Sequence, residues 1–438
     1  MSTKNKDSGR KVYRKRIVRK SKSHNQTNNP SNQIPAWKFY GITAFVVMFV
    51  IGLFGFGTFI ADLNSARNNK TSGKLSAKSP NQQVSKESQT LISDTPRNNV
   101  DETLSSQPIE SIQNSSINSN INSELVYNSS NPEQFQNSPN LTKTVDNIVK
   151  YVKSKKLPLD KLSITLIDIN SKTIAGYKQN TPRYPASVVK MFWMVALYAK
   201  VEKQLLKLDS NINHHLKLMI VKSDNNSSGR ILDLLTNTES SQNKLNQKDF
   251  EEWKNKRDQI NLFFQKAGYQ GININQKTFP LLNENIPEPI GPDLQIRSSN
   301  TQNPIRNKIT TRDAARLMYE ISSNQAAKNP DISEEMFNLL TRDTKEWKAK
   351  LPNPIEFNPV ESFFGEALPY KNTYIASKAG ITSSTRMEVA FITTKDRKTK
   401  YVLAVSGDDP AYAKNKSIFP GISELVYKQM TGSNKVKQ

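Results

Sequence analysis

Seven consecutive residues, Met191-Phe192-Trp193-Met194-Val195-Ala196-Leu197, are apolar. A helix through them has no face to offer to water, so the rest of a domain must wrap it on every side. Its start carries chemistry. Pro185-Ala186 lead in, and Ser187 and Lys190 stand three apart, on one face of the first turn. Burial against such a helix removes water from the lysine, lowers its pKa and lets a neutral amine take the serine proton. The helix start also leaves the Ser187 N–H available to an oxyanion. Taken alone the spacing is common, and a solvated helix start reads it equally well.

Other nucleophile systems are scarce here. The chain has no cysteine, which excludes thiol nucleophiles, disulfides, iron–sulfur centres and thiolate zinc sites. Its histidines are His24, in a basic tail, and the adjacent His214 and His215, so a Ser-His-Asp arrangement would have to draw on that pair. No metal site or cofactor motif is visible.

Only part of the 438 residues can pack, given 35% hydrophobic residues and a mean hydropathy of -0.64. Ten Lys or Arg and one acid, Asp7, precede Trp37. Phe39 to Ile60 then runs without charge, long enough at roughly 1.5 Å per residue to cross about 30 Å of hydrocarbon. The basic excess before it places residues 1–36 in the cytoplasm, 37–62 as a signal-anchor helix and the remainder outside. Residues 63–140, rich in Asn, Ser and Gln, read as a disordered tether. The formal charge of +23 is spread without a dense run or interleaved aromatics, which argues against nucleic acid and for anionic envelope surfaces or carboxylate substrates.

The folded domain is expected over 141–431, with a short tail to 438. Val145 to Lys153 reads as an amphipathic helix. Leu162 to Ile169 alternates like a half-buried strand, and Thr173 to Gln179 follows as a second. Thr373 to Lys378, Met387 to Thr394 and Tyr401 to Ser406 read as three more strands before a closing helix, Ile422 to Met430. Strands at both ends with helices between them imply an α+β fold, an α/β/α sandwich: one antiparallel sheet built from both ends, with an inserted helical subdomain.

Two further triplets follow Ser187-Val188-Val189-Lys190. Ser223-Asp224-Asn225 lies at a turn between helical segments, where a hydroxyl can relay a proton and an amide can hold a carbonyl; a helix N-cap explains it as well. Lys378-Ala379-Gly380 ends a strand, with Gly380 giving a ligand room to approach edge-on, Lys378 offering charge to a carboxylate and the Ile381 N–H a second oxyanion donor.

Together the three resemble the serine β-lactamase and penicillin-binding protein superfamily, most closely the class A β-lactamases, over roughly residues 141 to 431. Phe264 to Gly268, Phe279 to Pro287 and Thr310 to Ala315 resemble that class's helix, omega loop and following helix start. The resemblance implies Ser187 as acylating nucleophile, Lys190 as its base partner, Ser223 as proton shuttle, Asn225 as substrate contact, Lys378 as electrostatic anchor and Arg386 as a further carboxylate contact. It also implies a domain facing outward from a bacterial inner membrane and a small substrate, a β-lactam or a peptidoglycan peptide.

Two departures stand out. Phe279 occupies the place where the family pattern has a glutamate that activates the deacylating water, although Asn283, a water-positioning residue in that pattern, is kept and Glu284 and Glu288 lie near. Ala379 replaces a hydroxyl residue, which Thr382, Ser383 or Ser384 could make good. The extra length in Thr236 to Gln259 and Pro289 to Asn307 reads as surface insertions. Three activities fit: a β-lactamase-like hydrolase slow to deacylate, a penicillin-binding peptidase and a non-catalytic envelope module.

Overall fold

The computed structural model describes Tyr127, residues 133–349 and residues 357–432. The basic tail, the apolar run Phe39–Ile60 and most of the expected tether lie outside the described residues. Among those described, no helix is long and apolar enough to cross a membrane.

Numbering only the helices of eight residues or more, the chain runs β1 Gln136–Asn137, α1 Pro139–Ser154, β2 Leu162–Asp168, β3 Thr173–Tyr177, α2 Val189–Glu202, α3 Ser210–Lys217, α4 Asn225–Thr236, α5 Gln247–Gln265, α6 Thr311–Ser322, α7 Pro330–Leu340, β4 Thr373–Ile381, β5 Arg386–Thr394, β6 Lys400–Gly407 and α8 Ile418–Thr431. The sheet order is β1-β3-β2-β6-β5-β4, antiparallel except at the short β1–β3 pair. Its centre joins the two ends of the domain, with Ile164 of β2 opposite Val405 of β6.

Each face of the sheet has its own core. On one, Leu141, Val145, Ile148 and Val152 of α1 share a cluster with Ile164, Leu403, Ala390 and α8 residues Ile422 and Val426. The 3.6-residue spacing of the α1 set is what aligns it with the sheet. On the other face lies α2, whose residues Val189 to Tyr198 are all buried, as the apolar run demanded. Its one polar indole group is satisfied by Trp193 Nε1 donating to Ile274 O at 2.9 Å. Fully burying each large apolar side chain contributes about 1.5–3 kcal/mol, so α2 anchors the helical layer.

Three expectations are corrected. β2 is buried on both faces, because its polar side lies beneath the helices: Ser163 Oγ accepts from Arg183 Nε at 3.1 Å, and Thr165 Oγ1 donates to Thr311 Oγ1 at 2.9 Å. The fold also begins before residue 141. Tyr127 is fully buried, donates its hydroxyl to Glu320 Oε2 at 2.7 Å and packs its ring against Phe263, Phe264 and Tyr269.

The third concerns the two insertions, which are not loose surface loops. The first contains most of α5, whose Arg257 is buried and pairs with Asp233 and with Asp293 of the second insertion. Lys277 joins the same cluster through Asp233, Asp293 and Ser240. Gly291, at φ 53°, lets the second insertion lie so close to the Ser241 carbonyl that a Cβ would collide with it.

Candidate active site

The chain enters α2 through one tight turn, Ala186–Val188. Ala186 sits at φ 45°, a left-handed conformation that costs a non-glycine residue energy and must be held by its surroundings. What holds it is β4, the strand at the edge of the sheet. A Cβ on Gly380 would stand 2.5 Å from Ser187 N, 3.0 Å from Ala186 Cβ and 3.0 Å from Pro185 O. The room that Gly380 makes is therefore filled by the serine's own backbone, not by a ligand as its place in the sequence suggested.

The same edge points a backbone donor outward. Thr382 N donates to Thr385 O at 2.9 Å, so these two form the hydrogen-bonded pair that closes the β4–β5 hairpin. In an antiparallel ladder the neighbouring pair, Ile381 and Arg386, is then the one that exchanges no backbone bonds. The Ile381 N–H faces away from β5, beside the Ser187 turn. Ser187, in the first turn of a helix, has an N–H without an intrahelical acceptor. Two backbone donors thus flank the space in front of the partly exposed Ser187 hydroxyl.

Behind that space lie two buried amines. Lys190 Nζ donates to Ser223 O at 2.6 Å and to Asn225 Oδ1 at 2.7 Å, with Asp224 O at 3.5 Å. Burial brings its pKa down to about 7, against the opposing pull of the Asp224 carboxylate. Lys378 Nζ donates to Ser223 Oγ at 2.9 Å and to Ala379 O at 3.0 Å. Burial, then the charges of Lys190 and Arg342, hold it well below the usual lysine range. Ser223 joins the two, its carbonyl on one amine and its hydroxyl on the other.

The Ser223-Asp224-Asn225 turn serves as a helix cap and a site element at once. A five-residue π turn, Leu218–Lys222, ends at Ser223 in the left-handed region, φ 58°. Asp224 then caps α4 by accepting from Ser227 N at 2.6 Å. That cap is why Asn225 starts a helix with its amide beside Lys190; Asn225 Nδ2 donates onward to Pro280 O at 3.2 Å.

Sequence reasoning missed the groups beneath Lys378. Arg342, fully buried, donates from Nη2 to Ser377 O at 2.8 Å and to Ile220 O at 3.2 Å, tying β4 to the π turn. Glu388 accepts from Phe364 N at 2.7 Å and is pushed up to about 8 by burial. The signal available for Glu388 was a carboxylate inside the apolar run Met387 to Ile392; Arg342 follows a loop and had none.

Several expected residues go elsewhere. Arg386 is turned to the other face of the sheet, where it donates to Ser362 O at 2.7 Å, Ala413 O at 2.9 Å and Tyr412 O at 3.2 Å and stacks over Phe363. The spacing on β5 was right, but strand alternation sends its side chain away from Lys378. Ala379 belongs to the core on that same far face, so its missing hydroxyl is a packing choice. Phe279 lies against the Arg297 guanidinium, 5.6 Å from the ring centre, and lines a cavity with Glu284, Ser240 and Asp293. Pro280 and Asn283 are the loop residues bound to the site turn, the latter through its N–H to Asn226 Oδ1 at 3.1 Å. Glu284 and Glu288 are exposed. His215 Nδ1 lies 3.1 Å from Ser227 Oγ, but Asp224 bonds Ser227 rather than the imidazole, so the order of a serine triad is not met.

The chain is similar in structure to PBP-A, at 16% identity over 69% of this chain and 99% of that one, with a TM-score of 0.46. The TLA-1 extended-spectrum β-lactamase gives 15% identity over 66% and 98%, and the β-lactamase of Sphaerobacter thermophilus DSM 20745 gives 16% over 67% and 99%, each with a TM-score of 0.46. A search of curated proteins found no match. The family model described as the beta-lactamase enzyme family matches residues 140–215 and 211–430, well over half the chain. By that match, the chain belongs to the beta-lactamase enzyme family.

Proposed function

We propose that the protein is a membrane-anchored serine acyltransferase-type hydrolase that opens an amide bond, that of a β-lactam, through an acyl-enzyme on Ser187. The observation that carries this reading is the placement of Lys190: a buried amine one helical turn from Ser187, held by Ser223 O and Asn225 Oδ1, where burial brings its pKa down to about 7. A base whose pKa lies near the working pH accepts a proton well and returns it well. In the proposed reaction the Ser187 oxygen attacks the carbonyl carbon, Lys190 takes its proton, and the N–H groups of Ser187 and Ile381 receive the oxyanion. Collapse breaks the C–N bond, and the leaving nitrogen takes a proton through Ser223, whose hydroxyl is bonded to Lys378. Lys378 is the amine placed to meet a substrate carboxylate, whose charge would favour its protonated form against burial.

Phe279 supports a second reading, a penicillin-binding peptidase on peptidoglycan peptides. Phe279 cannot accept a proton and its side chain lies against Arg297 in another cavity, so the loop position that the family pattern gives to water activation supplies no base, whose assistance is worth roughly 10²–10⁴-fold. Anchoring rests on the uncharged run Phe39–Ile60 and the basic tail before it, which favour a single-pass protein of the bacterial inner membrane with its domain outside.

The test is covalent labelling of the full-length protein by a fluorescent penicillin. Labelling that is lost in Ser187→Ala is the expected result, and an intact protein that takes no label refutes the acyl-enzyme. Release of terminal D-alanine from a muropeptide selects the peptidase; turnover of the penicillin with no such release selects the β-lactamase.

A further inference from the structure

A second cavity, of about 480 Å³, opens on the other side of the Ser223-Asp224-Asn225 turn. His214 and His215 of α3, Lys222 of the π turn and Arg230 of α4 bring it basic groups, with Asn283 of the loop and Phe357 completing the wall. Asp224 is the one carboxylate in the lining, and it is already engaged, by Ser227 N at 2.6 Å and Asn226 Nδ2 at 3.4 Å. No ion pair to Arg230 forms among the described residues. Burial first, then the like charges of Arg230 and His214, lower the pKa of His215 against the opposing pull of Asp224.

This cavity is joined to the reaction site by shared residues. Phe357 lies under Lys378 Nζ, 5.7 Å from the ring centre. Asn226, which holds the Asn283 N–H, is the neighbour of Asn225 on Lys190. The Ser223-Asp224-Asn225 turn thus carries reaction-site groups, Ser223 and Asn225, and cavity-lining groups, Asp224 and the adjacent Asn226, within four consecutive residues.

We propose that the cavity is a subsite for an anionic arm of the acyl donor, so that the preferred substrate is a carboxylate-bearing peptide rather than a neutral one. The assignment rests on Ser187 as the nucleophile, and its test is built to fail separately. Two penicillins of nearly equal size, benzylpenicillin and its α-carboxy analogue carbenicillin, are compared as acylating agents of the full-length protein. The expected result is a preference for the second that falls about tenfold in Arg230→Glu, a loss typical of one charge-assisted contact, and is kept in Arg230→Lys. An unchanged ratio overturns the subsite. In parallel, binding of an N-acyl-glutamyl peptide to Ser187→Ala is measured by calorimetry, which needs no chemistry. About tenfold weaker binding in Ser187→Ala/Arg230→Glu supports the subsite, and equal affinity or no binding overturns it. Absence of acylation by either penicillin counts against the Ser187 reading alone.

Discussion

The two walls of the site are built on different principles. On the acylation side the two amines are tied to the same turn, Lys190 to Ser223 and Asn225 and Lys378 to Ser223, and Arg342 holds the backbone of Ser377 beside Lys378. On the loop side the contacts to the site are backbone groups, Pro280 O and Asn283 N, while the side chains Phe279 and Glu284 serve a separate cavity. One wall is equipped to move protons and the other to hold shape. On the proposed mechanism, forming the acyl-enzyme and releasing it would fall to different walls of one fold.

The strongest way to break this contrast is through Lys190. Lys190→Ala is expected to slow acylation by about 10²–10⁴-fold, measured by stopped-flow labelling. In the native protein the rate should climb as pH rises through about 7, where the amine becomes neutral. A flat profile assigns the base elsewhere. Next comes the loop: because the Phe279 side chain is held away at Arg297, Phe279→Glu should leave the acyl-enzyme lifetime within about twofold, followed by loss of bound label, and a lifetime shortened by about 10²-fold would show that this side chain reaches the site. Gly380→Ala forces a methyl against Ser187 N, with an expected destabilisation of about 1–3 kcal/mol by thermal unfolding and a slower acylation that Gly380→Ala shares with no other strand position.

The smallest effect concerns the buried carboxylate. Glu388 is raised from 4.5 to about 8 in the fold, so the folded state holds this proton more tightly than the unfolded chain. Its contribution is complete below about 4.5 and is lost as pH rises toward 8. Glu388→Gln should flatten that part of the melting temperature against pH, by several degrees at the alkaline end, and identical curves would show that the carboxylate is already ionised.

Much of this was legible because each readable element had a short-range signature. The α2 run had to be buried, the strands announced themselves by alternation, and the three triplets met at one place because a sheet joining distant segments brings Lys378 to the start of α2. What could not be read depended on direction and company. Arg386 was placed on the correct strand with its side chain on the wrong face. The insertions looked polar in part because Arg257 and Asp293 are charged, yet these pair in the interior with each other and with Asp233 and Lys277 from outside them, and no local pattern announces a partner some twenty to forty-five residues away. Ser163 and Thr165 misled in the same way, since a hydroxyl bonded inside the protein has the same letter as one facing water.

Tyr127 has a mechanical implication. Among the described residues, the first that the core holds is Tyr127 rather than the start of α1. That fixed point lies twelve residues before Pro139, the first residue of α1, so a proposed anchor would be joined to the domain by a span shorter by that length. Unpinning it, as Tyr127→Ala would, lengthens the tether without adding a residue.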